Sequence, residues 1–188
     1  MEVVLTLPEQ NGASVVTFIS PWLAEKNLKP ILQRTLALQN PLERAHALAV
    51  LVPNLTGENC NQAIIEALKA AIKLPWFAGD SVVFRIAPMV TAPLLQPILE
   101  VMDSCQDPLE RAIVLAMLFP YIPDHALLLK RIRQEMLEAL SSFQKKLRLD
   151  MLQGYLVRTI FTIPLLSSET IGSVTSHMLE ICRDWHWL

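Results

Sequence analysis

Glycine is scarce, with 5 among 188 residues. A chain with so few freely turning positions is a poor candidate for a hairpin-rich β architecture. Charge is also scarce. Asp, Glu, Lys and Arg make up 18% of the residues against a usual share of about a quarter. The net charge of −2 supplies no global attraction to nucleic acid or to an anionic membrane. The three cysteines, Cys60, Cys105 and Cys182, are odd in number and far apart. They form no disulfide framework and read as reduced thiols of a cytoplasmic protein. Long apolar runs are missing too. The uncharged stretch from Ile86 to Leu99 is broken by prolines, and Ala112 to Pro123 runs only 12 residues. Neither provides the ~20 apolar residues of a membrane span. The start, Met1-Glu2-Val3-Val4-Leu5, lacks the basic region and apolar core of a secretory signal. No Gly-x-x-x-x-Gly-Lys phosphate loop occurs.

Proline, by contrast, recurs with a rhythm. Pro21, Pro53, Pro88, Pro120 and Pro164 each close an apolar, Ala-rich run, at spacings of 32, 35, 32 and 44 residues. A period in this range is the mark of stacked helical repeats. Two copies align closely, 67 residues apart. Asn40 to Pro53 and Asp107 to Pro120 share Pro-Leu-Glu-Arg-Ala and then, in register, Leu, Ala, Leu and the closing Pro. Asn40 and Asp107 are suited to cap the free N–H groups of a first turn. Pro41 and Pro108 fall at N1, where a missing N–H costs nothing. Glu43 and Glu110 fall at N3, favourable to the helix dipole. Ala45, Ala49 and Ala112, Ala116 place small residues in line, so that a neighbouring helix can come close. The closing Pro is expected to end the helix or tighten its last turn, by pushing the residue before it out of the α region.

A second helix is expected after each first one: about Leu28 to Leu38, Asn61 to Leu74 and Pro93 to Cys105, each with apolar residues at helical spacing. The copy from Phe77 through Gly79 to Pro88 is degenerate and lacks the Pro-Leu-Glu-Arg start. The long last interval falls in residues 130–150, where no Gly or Pro interrupts Asp124 to Gly154. Two long helices meeting near Ser141-Ser142 fit it best. Residues 1–12 read as a lead-in, with a strand at Val3 to Leu7 as the alternative. The sequence therefore predicts one all-α domain over 1–188, an α-solenoid of about five stacked helix pairs.

The Ala-Leu-x-x-Leu-x-Pro-x-Leu cadence, preceded by Asp/Asn-Pro-x-x-Arg-Ala, resembles the HEAT-like helical repeats of bacterial multidomain proteins. Such arrays accompany cyanobacterial STAND-type signalling ATPases and caspase-like domains. Asp107 to Asp124 fits the cadence best and Asn40 to Thr56 nearly as well; the unit from Phe77 and residues 130–150 depart from it. The resemblance implies a fold and a scaffold, sensor or adaptor role. It implies no catalytic residue, cofactor or metal.

Candidate sites in the sequence are few. Lys130, Arg131, Arg133, Lys145, Lys146 and Arg148 concentrate positive charge that could grip phosphates, although the interleaved aromatics of single-strand binders are missing apart from Phe143. A solvated helix face is the plainer reading of them. Trp185 and Trp187 resemble interface anchors or a cap over the last repeat. Trp22 and Trp76 read as core. His177, Cys182 and His186 have loose metal-ligand spacing but fall short of four ligands. Cys60 stands near a helix start, where a thiolate would be favoured, with no base to activate it. Arg44 and Arg111 occupy equivalent positions and are expected to bond carbonyls or carboxylates in the next repeat. The expected function is a non-enzymatic protein-interaction module using a solenoid face or its last repeat. The alternative is a nucleic-acid-associated accessory protein using the basic edge at 130–148.

Overall fold

The computed structural model describes residues 12–20, 25–122 and 125–143, with the isolated positions 172 and 176. All the regular structure among these residues is helical. Among the described residues eight α-helices are delimited: α1 (Gly12–Ile19), α2 (Glu25–Leu36), α3 (Pro41–Leu51), α4 (Gly57–Ala71), α5 (Trp76–Ile86), α6 (Leu95–Asp103), α7 (Pro108–Leu118) and α8 (His125–Phe143). The chain divides into two compact units, Met1–Ser104 and Cys105–Leu188.

The expected helix starts are present. Asn40 Oδ1 accepts from the N–H of Leu42 at 2.9 Å and of Glu43 at 3.4 Å. Asp107 Oδ1 accepts from Leu109 N–H at 2.9 Å. Pro41 and Pro108 open their helices.

The closing prolines act differently from the expectation. Val52, Ala87 and Phe119, each just before a Pro, keep right-handed helical backbone. The chain then tightens into one 3₁₀ turn: Val52–Asn54, Ala87–Met89 and Phe119–Tyr121. It turns extended only at Leu55, Val90 and Ile122. Pro lacks the N–H that an α-turn would use, so the helix narrows rather than stops. The tightening delivers Leu55, Val90 and Ile122 into the core, where each is buried.

In the first unit the first helices pack on one another in chain order, α1 on α3 and α3 on α5. The second helices do the same, α2 on α4 and α4 on α6, and α3 lies along α4. The core between them is built from Leu32, Leu48, Leu51, Ile64, Leu68 and Ile98, all essentially closed to water. Ala45 and Ala49 are buried, as their small size allows where helices approach. In the second unit α7 packs along α8, with Ile113, Leu115, Leu118 and Ile132 in its core.

Two of the second helices begin earlier than expected and the third, α6, begins at Leu95, slightly later. α4 starts at Gly57 and α2 at Glu25, while a 3₁₀ turn at Ala92–Leu94 precedes α6. α8 runs unbroken through Ser141-Ser142 to Phe143, and the expected second long helix lies outside the described residues, as does the alternative strand at Val3 to Leu7.

Gly57 opens α4 with a φ of 56°, backbone that side chains resist. Gly79 meets a different demand. A Cβ there would stand 2.8 Å from the carbonyl oxygen of Ala71, the last residue of α4. The close seating of α5 on the end of α4 therefore requires glycine. Gly79→Ala is expected to destabilise the fold by about 1–3 kcal/mol through overpacking against backbone. Gly57→Ala should cost about 1–2 kcal/mol, the penalty of left-handed backbone. Urea denaturation of each variant checks both values, and a Gly79→Ala midpoint equal to wild type would show that Ala71 gives way.

Candidate interaction surface

Counting back from the closing prolines aligns α3, α5 and α7 residue for residue, and position four of each helix becomes Arg44, Gly79 and Arg111. The two arginines make the same bond. Arg44 Nη1 donates to Leu38 O at 2.9 Å, and Arg111 Nη1 donates to Cys105 O at 2.6 Å. Each acceptor lies six residues back, two residues past the end of a helix. Carbonyls at such points have lost their helical donors, and a guanidinium supplies a replacement. In the middle copy the position is Gly79, whose backbone lies close against the preceding helix end.

Beyond that bond the two arginines diverge. Arg111 Nε donates to Glu135 Oε2 at 2.6 Å, and its Nη2 lies 3.1 Å from Glu138 Oε2. Arg131 Nε donates to the other oxygen, Glu135 Oε1, at 2.6 Å. Glu135 is 1% exposed, so its carboxylate sits between two guanidinium groups away from water. Burial disfavours the charge on Arg111, but the Glu135 hydrogen bond and the charges of Glu135 and Glu138 outweigh it and hold its pKa above the usual value. Among the described residues no carboxylate pairs with Arg44, and its Nε is buried without a hydrogen-bond partner.

The same alignment exposes a second set of equivalent positions. Ser14 and Phe18 of α1, His46 and Val50 of α3, and Arg85 of α5 occupy two register positions of three successive first helices. Together with Leu42 and Glu43 they line one open groove of about 560 Å³. Phe18 is 80% exposed and Leu42 40%, high values for large apolar side chains. The groove was not legible residue by residue. Only the proline register, carried through the degenerate copies, would have pointed to it.

The basic residues expected at 130–148 are only partly placed. Lys130 is exposed on α8, Arg131 is committed to Glu135, and Arg133 is half-buried with its Nε unpartnered. Lys145, Lys146 and Arg148 lie outside the described residues, as do Trp185, Trp187, Trp22 and the trio His177, Cys182 and His186, while for Trp76 only the backbone is described. Among the described residues no group of three His, Cys, Asp or Glu side chains is arranged to hold a metal ion, and no helix is long and apolar enough to cross a membrane. Cys60 is buried, its thiol directed at Val52 O at 3.8 Å, and burial pushes its pKa up. Burial likewise pushes up the Cys105 thiol. No family model, no curated protein and no solved structure matches the chain.

Two outcomes test this geometry. Arg111→Met leaves buried Glu135 with Arg131 alone and should cost about 2–3 kcal/mol, whereas Arg44→Met loses one hydrogen bond to a neutral carbonyl and should cost about 1 kcal/mol. Chemical denaturation of the two variants measures the difference, and equal losses would contradict the assignment. Cys60 and Cys105 should resist iodoacetamide at pH 8 in the folded protein and react on unfolding, since the reactive thiolate is disfavoured in both. Peptide mapping by mass spectrometry reads each site separately.

Proposed function

We propose that this chain is a non-enzymatic protein-interaction module whose helix pairs stack as an α-solenoid of the HEAT-like kind. One observation carries the reading. Equivalent register positions from α1, α3 and α5 together form a single open groove. A surface made by repetition of one position is how stacked helical repeats present binding faces. The pairing of first with first and second with second helices in the first unit supports the same arrangement. Exposed Phe18 and Leu42 supply the apolar anchors that protein interfaces use. The commitment of Arg131 to Glu135 leaves less free positive charge for phosphates than the sequence suggested, which favours a protein partner over nucleic acid.

Affinity capture from the source cell, using the folded 188-residue chain as bait, is expected to retain a protein that excess free chain displaces. Partner-free captures from cells in several growth states, with the bait folded by circular dichroism, would count against the proposal.

A further inference from the structure

We infer that the groove across α1, α3 and α5 receives a short amphipathic helix from a partner protein, apolar at one end and carrying a carboxylate at the other. This inference rests on the interaction-module reading and deepens it.

The internal repeat shows that this face is one the fold closes. On α3 the groove positions are Leu42, His46 and Val50, all at least partly exposed. Their equivalents on α7 are Leu109, Ile113 and Met117, exposed by only 6%, 0% and 6%. The same helix position is therefore covered in one copy and open in another. At the open copy the residues have changed character, with His46 standing where α7 has Ile113.

The groove also has a direction. Phe18, Val50 and Arg85 are the same register position in three successive first helices, so the row runs from aromatic to aliphatic to cationic. Arg85 is exposed and has no ion pair among the described residues. Glu43, the acid of the groove, is not free. A partner crossing the row thus meets apolar surface over Phe18, Leu42 and Val50 and an available cation at Arg85. Neighbouring helices lie 8–10 Å apart, so the crossing spans about 20 Å. At 1.5 Å per residue that is ~13 residues of helix. Leu42, His46 and Val50 form an i, i+4, i+8 ridge against which such a helix can seat its own side chains.

The probe is a displayed library of 16-residue helix-forming peptides. Each has leucines three and four apart at one end and Glu, Gln or Lys at the other. On the wild-type chain, Glu-bearing peptides should enrich at least tenfold over Lys-bearing ones. Arg85→Glu should reverse that preference, and Phe18→Ala with Leu42→Ala should lower binding of a selected peptide at least tenfold. All three side chains are exposed, so folding should survive, as circular dichroism would verify. Enrichment indifferent to these substitutions would overturn the groove assignment while leaving the interaction-module reading in place. The groove assignment would also fall if no peptide were enriched, or if sedimentation showed a dimer that Leu42→Asp dissolves, since that would name a second copy as the occupant. A natural partner captured in the cell experiment but bound equally well by the groove variants would locate the module's interface elsewhere.

Discussion

The fold is organised around carbonyl groups left over at helix ends. Each helix that stops strands several acceptors, and in a chain of short helices this problem recurs every dozen residues. In two copies an arginine one turn into the next helix reaches back and satisfies such a carbonyl. In the copy between them the next helix comes so close that only glycine fits. Within the first unit the two devices accompany the seating of α3 and of α5 beside the helix ends that precede them. The neighbouring surfaces follow from that seating, including the row of equivalent positions on α1, α3 and α5.

The two arginines also show how one repeat position takes on different weights. Arg44 has a carbonyl and little else, and its Nε is an orphan donor. Arg111 has the same carbonyl and two carboxylates from α8, one of them closed to water. A buried carboxylate is costly unless it is fully paired, so the second unit depends on its arginine far more than the first does. The pair adds a geometric requirement as well, because Glu135 must meet Arg111 and Arg131 at once.

Much of this was legible in the sequence, and the rest was hidden for identifiable reasons. Asn40-Pro41 and Asp107-Pro108 announce helix starts because capping is local chemistry. The closing prolines mark the ends of first helices for the same reason, although their effect is a tightened turn rather than an escape from helical backbone. The equivalence of Arg44 and Arg111 was legible, but their carbonyl partners lie six residues back and not in the next repeat, because the acceptors are those just past a preceding helix end. The link from Arg131 to Glu135 was within reach, since the residues stand one turn apart. The role of Gly79 was not, because a clash with Ala71 O depends on how closely two helices are seated. The groove was missed because its residues share no chemistry, only a register. Phe18, Val50 and Arg85 look unrelated until the prolines are lined up.

Gly79 also bears on how such a chain can change over generations. Repeat proteins lengthen and shorten by copying units. A copy of the α3 unit placed where α5 stands would bring an arginine to position four. That side chain would begin where a carbonyl oxygen already lies within 2.8 Å. Duplication or exchange at this joint would therefore need a second change in the end of α4. The unit that looks most eroded in sequence is the one least open to replacement by its better-preserved siblings.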